Sequence, residues 1–405
     1  MIKNRRITPE GTRDLLFEEC LARREVESRL SGLFTARGFS EVMTPGIEFY
    51  DVFHADSMAI PTESMYKLSD NKGRLLVMRP DSTMPIARLV STRLRNVPLP
   101  VRLYYAQDVF RLHHGLNGHS DQQFQAGVEL VGAAGIRADL EMLSLAAASL
   151  RACGCGEGER PGGDFRIEIG HVGLFHSLAA QLEVSEEERE AIRSLIESKS
   201  YAALGDLLDA LPPSPAADGI RRLPRLFGGE EVLAAARPLC ASDEMRRSLD
   251  YLAGLYRSLC ELGLGGRVMI DLGLVHSNEY YTGVIFRGYV EGSGEPVISG
   301  GRYDSLLRQF GPDLPATGFG VNVDALTGVM LARSEVNPPK PPEALVYAAP
   351  GREAEALQKA EELTAEGVTC EFGVFDTLEQ SMAYAAGRRI AKVIAIGESV
   401  EVYEL

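Results

Sequence analysis

The stretch 109–129 reads VFRLHHGLNGHSDQQFQAGVE and holds His113, His114 and His119, three of the seven histidines in the chain. Imidazole nitrogens so close together could ligate zinc or nickel. Asp121 is the only carboxylate partner beside them, and no helix or strand spacing converges the rings. They therefore read as solvated loop histidines that coordinate nothing. Gln125 and Glu129 follow in the apolar run FQAGVEL, where a period of two puts them on one face with Gly127. Buried polar side chains need partners, so this face points to a ligand more than to packing. Cys153 and Cys155 form a C-x-C with no matching pair, which favours unbridged thiols over a zinc site.

The elements that must carry these groups belong to an ordinary globular composition, 45% apolar and 24% charged in 405 residues. That length suits roughly two or three domains. Six scattered cysteines are no disulfide framework. No run approaches the roughly 18 apolar residues of a membrane helix. The basic start MIKNRRITPE has no apolar stretch behind it, so neither a signal peptide nor a membrane partner is expected, and the expected location is cytoplasmic. A net charge of −15 repels a phosphate backbone unless a basic stripe is segregated, and the basic clusters are short ones such as Arg221-Arg222.

Periodicity predicts an amphipathic helix over 18–36, with Leu21, Val26, Leu30, Leu33 and Phe34 apolar, ended by Gly38 and followed by a short strand at 39–43 and Pro45. Strands are expected at 75–78, 101–105 and 124–130, with a helix at 83–94. A helix at 139–152, closed by CGCGEGERPGGD, precedes a strand at 165–169. From about 176 to 262 the texture is helical, broken by Pro212, Pro213 and Pro215, and reads as an all-helical insertion. Strands return at 268–272, 284–289 and 296–299. The expected fold class is α+β, an antiparallel sheet core with helices over 1–330. NPPKPPEA lies in a Pro-rich linker, 331–344. Residues 345–405 then pattern as β-α-β-α-β, a small α/β domain with a parallel sheet.

Several segments, in this order, resemble the class II core of histidyl-tRNA synthetases. TPEGTRDLL and FSEVMTPGIE resemble the family's opening and its dimer-forming first motif. LLVMRPDSTMPIARLV resembles the substrate-binding R-P-E-x-T stretch. Residues 110–129 resemble the second motif, F-R-x-E-R-P-Q-x-G-R-x-R-Q-F-x-Q-x-G-x-E, without gaps. EYYTGVIFRGYV, SGGRYDSLL and PATGFGVNVDAL resemble the histidine-binding and third-motif segments. Ordered motifs over about residues 5–330 are far more specific than one alone.

The resemblance divides the chemistry in two. Arginines of the family pattern that would stabilise phosphate charge align here with His114, His119, Asp121, His276 and Ala325, and His113 replaces a glutamate. An anion such as Asp121 beside a triphosphate would repel it. The amino-acid half matches: Thr83, Gln125, Glu129, Tyr280 and Tyr281 fit the pattern, Asp81 stands in for glutamate, and Arg111 remains. Glu129 and Asp81 suit an α-ammonium or an imidazole N–H, Gln125 can donate or accept, the tyrosines offer an aromatic wall, and Arg111 suits a carboxylate. Read without the family, Tyr280-Tyr281 are strand aromatics facing opposite sides, which would put one in the core. Gly300-Gly301-Arg302-Tyr303-Asp304 then reads as a turn and a helix start.

A core that keeps its amino-acid pocket and loses its nucleotide pocket resembles the regulatory subunits of ATP phosphoribosyltransferase. The resemblance implies a non-catalytic chain with no cofactor and no metal. Its partner would be a short-form catalytic subunit acting in the first step of histidine biosynthesis. The chain would self-dimerise through 18–46 within a hetero-oligomer, the family suggesting a hetero-octamer. L-Histidine would be its feedback effector and tRNA would not bind. No acidic-then-Gly/Thr loop that cradles phosphoribosyl pyrophosphate is present. The alternatives are an active histidyl-tRNA synthetase and a stand-alone histidine-binding protein. The effector could act at the synthetase-like pocket, at the subunit interface, or at both.

Overall fold

The structure, a computed structural model, describes residues 6–54, 60–113, 120–156, 164–275, 280–333 and 338–405. It divides after residue 336 into two compact units. The first begins with helix α1 (Glu18–Ala36), whose buried Ala22, Val26, Leu30 and Phe34 recur every fourth residue and so form one stripe. Leu21, expected on that stripe, is 44% exposed, and Ala22 takes its place. Gly38, in the left-handed region at φ +81°, lets the chain leave the helix.

Strand β1 (Ser40–Glu41) follows, then β2 (Ile47–Phe49), β3 (Lys67–Ser69) and β4 (Leu75–Met78). The last three form a small antiparallel sheet in the order β2-β4-β3. Helix α2 (Thr83–Arg93) leads to the long strands β5 (Val101–Phe110) and β6 (Gln122–Val131), helix α3 (Ile136–Ala152), strand β7 (Phe165–His171) and helix α4 (Val172–Ala179). Then come α5 (Glu186–Glu197), α6 (Tyr201–Asp209), α7 (Pro215–Arg222), a short strand β8 (Phe227–Gly228), α8 (Glu231–Ala236) and α9 (Asp243–Glu261). Strands β9 (Val268–Asp271), β10 (Val284–Val290), β11 (Ile298–Arg302) and β12 (Ala316–Asn322), and helix α10 (Val323–Ala332), complete the unit.

Its main sheet has nine strands in the order β1-β5-β6-β12-β11-β10-β7-β9-β8. Most pairings are antiparallel; β1 with β5 and β7 with β9 are parallel. The stretch 176–262 is not purely helical, because β8 pairs with β9 at the sheet edge. Its apolar residues, Ile192, Leu204 and Leu252 among them, join the same buried cluster as α1, α3 and α10.

Alternation along β6 separates the two faces of the main sheet. Phe124, Ala126, Val128 and Leu130 enter the helix-covered core, which leaves Gln125, Gly127 and Glu129 on the other face. A second cluster lies on that other face, with Phe53, Met65, Ile86, Tyr105, Tyr280, Tyr303 and Leu306. Buried Arg302 on β11 pairs with Asp139 on α3 at 2.8 Å, and Tyr251 on α9 donates to the same carboxylate at 2.6 Å. No described helix is long and apolar enough to cross a membrane.

The second unit has strands β13 (Ala344–Ala348), β14 (Cys370–Phe372), β15 (Lys392–Ile396) and β16 (Val400–Glu404), with helices α11 (Glu353–Ala365) and α12 (Leu378–Arg388). Its sheet order is β14-β13-β15-β16. The first three strands are parallel, and β16, which periodicity did not reveal, runs antiparallel beside β15. Its residues are mostly exposed, so no buried alternation marks it.

Candidate functional site

Asp81, Thr83, Arg111, Gln125, Glu129, Tyr280 and Tyr281 all line one cavity of about 70 Å³, together with Tyr105, Ser299, Tyr303 and the β12 backbone. Its floor is the open face of β6, β11 and β12. Glu129 sits at the bottom, 2% exposed. Thr83 Oγ1 donates to its Oε1 at 2.7 Å, and the Tyr303 hydroxyl donates to its Oε2. Burial pushes the Glu129 carboxyl up to about 8; the hydrogen bonds from Tyr303 and Thr83 oppose that rise, and the charge of Asp81 adds to it. Among the described residues no cation pairs with Glu129.

Asp81 opens helix α2, where its Oδ1 accepts the Met84 N–H at 3.0 Å. Its Oδ2 lies 3.5 Å from Arg111 Nη2, and Arg111 Nε donates to the Pro80 carbonyl at 2.7 Å. The guanidinium is therefore anchored at one edge and still partly exposed to the cavity. On the facing strand, the Tyr105 hydroxyl donates to Gln125 Oε1 at 3.0 Å. Room for these side chains comes from β12. A Cβ on Gly318 would stand 1.9 Å from Glu129 Oε2, and one on Gly320 would stand 2.6 Å from Gln125 Nε2.

Tyr280 and Tyr281 differ from the strand expectation. They precede β10 in a turn, so both rings reach the cavity, with centroids 4.7 Å apart. Tyr303 meets Tyr280 edge-on at 5.7 Å. Gly300 to Arg302 are strand β11, not a turn, and β11 delivers Tyr303 to Glu129. Tyr105 and Tyr303 thus belong to the site without having been singled out from sequence. For Tyr303 a signal existed in the SGGRYDSLL segment. For Tyr105 only strand alternation distinguishes it from its neighbour Tyr104.

The far end of the same sheet is built differently. Asp121 accepts from Tyr66 OH at 2.6 Å and from the His113 backbone N–H at 3.0 Å, with His113 Nδ1 at 3.2 Å. Burial works to raise the Asp121 carboxyl, but these bonds hold it below the usual range. His113 is therefore a partner of Asp121 while it stays, as expected, an exposed loop residue. His114, His119 and His276 lie outside the described residues. The Asp121 N–H also donates to the Gly11 carbonyl at 2.7 Å. Asp324 accepts the Phe124 N–H at 2.7 Å, and Ala325 N–H caps onto Asn322 at 3.0 Å. Arg23 lies 4.1 Å over the Phe124 ring and pairs with Asp108 at 3.3 Å. Among the described residues no group of His, Cys, Asp and Glu could hold a metal ion.

Comparison with known proteins bears on this geometry. Residues 11–326 match the histidyl-tRNA synthetase family. The ATP phosphoribosyltransferase regulatory subunit of Clostridium novyi is 37% identical over 410 residues, covering 100% of this chain and 96% of that one. The protein of the same name from Bacillus mycoides is 36% identical over 407 residues, with 100% and 95% covered. A Bacillus halodurans structure described as an ATP phosphoribosyltransferase regulatory subunit/histidyl-tRNA synthetase superposes with a TM-score of 0.81 at 30% identity, covering 98% of this chain and 99% of that one. A histidyl-tRNA synthetase from Nostoc shares the fold, with a TM-score of 0.73 at 20% identity over 98% and 94% of the two chains. On these grounds the chain belongs to the ATP phosphoribosyltransferase regulatory-subunit family, which is built on the class II histidyl-tRNA synthetase core.

Proposed function

We propose that this chain serves a short-form catalytic subunit of ATP phosphoribosyltransferase without catalysing, and that its synthetase-like pocket binds L-histidine as the feedback effector of histidine biosynthesis. It works in the cytoplasm, within a hetero-oligomer of hetero-octameric type that contains a dimer of this chain, and it neither binds tRNA nor makes histidyl adenylate. The observation that carries the reading is the buried Glu129, which is hydrogen-bonded but has no ion-pair partner among the described residues, in one cavity with Asp81, Arg111 and Gln125. An α-amino acid with a basic ring supplies what this cavity lacks. Its ammonium or imidazole N–H suits Glu129 and Asp81, its carboxylate suits Arg111, and its ring suits the tyrosine walls.

Absence of adenylate chemistry is supported by Ala325, which offers no cation, and by Asp121, held as an anion by Tyr66 and His113. Each missing charge-stabilising donor costs a transition state about 2.7–4 kcal/mol. Feedback requires histidine to bind two states of the complex differently, with a coupling of typically about 1–3 kcal/mol.

The deciding experiment combines this chain with a short-form catalytic subunit and assays phosphoribosyl transfer with and without histidine. Transfer that depends on this chain and falls with histidine is expected. Histidine-dependent exchange of pyrophosphate into ATP at ordinary synthetase rates would instead make the chain a synthetase.

A further inference from the structure

A larger cavity, about 250 Å³, opens on the same sheet face as the first. Arg287 on its border stands opposite Ser299 in the β10–β11 register, and Ser299 lines the first cavity. The strands β7, β9 and β10 form one wall. The junction of α5 and α6, with Phe227 of β8, forms the other.

The charges facing this cavity balance. Arg166, Lys199 and Arg287 oppose Glu168, Glu197 and Asp271. Arg166 pairs with Glu168 at 2.7 Å, and Arg287 pairs with Glu197 at 3.1 Å while also donating to the Val275 carbonyl. Two opposite charges are left over. Asp271 accepts a hydrogen bond from the Gly273 N–H at 2.9 Å and has no ion pair among the described residues. Burial, reinforced by the Glu168 charge, pushes its carboxyl up to about 6, against the Gly273 hydrogen bond and the more distant charges of Lys199 and Arg287. Lys199 lines the same cavity and likewise has no ion pair among the described residues.

The backbone at Lys199 is a separate observation. It ends α5 in the left-handed region, φ +55°, where glycine is the favoured residue. The Lys199 N–H donates to the Ile196 carbonyl at 3.0 Å and the Ser200 N–H to the Leu195 carbonyl at 2.9 Å, a Schellman cap that closes α5 and sets this cation at the cavity rim.

We infer that this cavity binds a small zwitterion of the α-amino-acid class, with its ammonium on Asp271 and its carboxylate on Lys199. A free phosphate would meet Asp271 and Glu168, and a simple cation would meet Lys199, Arg166 and Arg287. A ligand of no net charge with separated poles completes both leftover groups. Tyr201, Tyr289 and Phe227 supply aromatic surface for its side chain. The inference does not rest on what occupies the first cavity.

The test uses the full chain carrying Glu129→Gln, which removes the charge at the bottom of the first cavity. Thermal shift and calorimetry are run with each of the common L-amino acids, with the N-acetyl and methyl-ester forms of any that bind, and with inorganic phosphate. At least one amino acid is expected to bind, and both blocked forms to fail. Lys199→Gly relieves the left-handed strain and Asp271→Asn keeps the acceptor for Gly273, so both variants should fold. Each should weaken binding about tenfold or more, the scale of a lost charged hydrogen bond. Absence of amino-acid binding, binding that survives both substitutions, or binding of phosphate in preference would overturn the inference.

Discussion

Two regions of the main sheet treat their charged groups in opposite ways. Around Glu129 the carboxyl receives hydroxyl hydrogen bonds from Thr83 and Tyr303 but no counter-charge among the described residues, and Arg111, anchored at Pro80 and 3.5 Å from Asp81, keeps its side chain 37% exposed. Around Asp121 the acids find partners within the protein: Asp121 in Tyr66 and His113, and Asp108 in Arg23. A buried carboxyl without a counter-ion holds its proton until a cation binds it, whereas a closed network needs no ligand. One region therefore leaves polar groups that a bound ligand would complete, and the other closes on itself. Experiments can break or sharpen this contrast.

The largest effect is expected from Glu129→Gln, which keeps the shape and removes the charge. Histidine affinity measured by calorimetry near pH 9, where Glu129 is ionised, should weaken by roughly 2–5 kcal/mol. Unchanged affinity with an intact circular dichroism spectrum would move the effector elsewhere, most plainly to the interface with the catalytic subunit.

Gly318→Ala comes next. Its Cβ would stand 1.9 Å from Glu129 Oε2 and 2.4 Å from the Val128 carbonyl, which is backbone and cannot swing away. Overpacking of this kind costs about 1–3 kcal/mol in denaturant unfolding, and histidine binding should fall with it. A variant as stable and as tight-binding as the parent would show that the floor of the pocket is not set by β12.

The dependence on pH is a smaller effect with a definite sign. Burial raises the folded-state Glu129 carboxyl from 4.5 to about 8. Between those values the folded state holds a proton that the unfolded chain has released, so this group's contribution to stability declines as pH climbs through that window. Pairing with a ligand cation expels the proton, so histidine affinity should rise with pH up to about 8, by at most about 1.4 kcal/mol per unit. Glu129→Gln should flatten both profiles; slopes that persist in the variant would assign them to another group.

Tyr66→Phe probes the closed region. Loss of its 2.6 Å bond to Asp121 should lower stability by about 1 kcal/mol and leave histidine affinity unchanged. A large loss of histidine binding would mean that the two regions are coupled and the contrast is not local.

Much of this arrangement is legible in the order of amino acids alone. The spacing of Gln125 and Glu129 in an apolar run puts both on one strand face, and β6 carries them on the face opposite Phe124, Ala126, Val128 and Leu130. The order of motifs points to the class II core, which the comparisons share. Periodicity reports which side of an element a residue occupies, so these features follow from local pattern. It does not report which elements become neighbours. Thr83 meets Glu129 across 46 residues and Tyr303 meets it across 174, through a sheet order in which β6 lies beside β12. Only that order recruits Tyr105 and Tyr303, turns both Tyr280 and Tyr281 inward, and leaves Lys199 and Asp271 lining one cavity without pairing. The strand face was written in a period of two, whereas the site was decided by long-range strand pairing, which a local pattern does not encode.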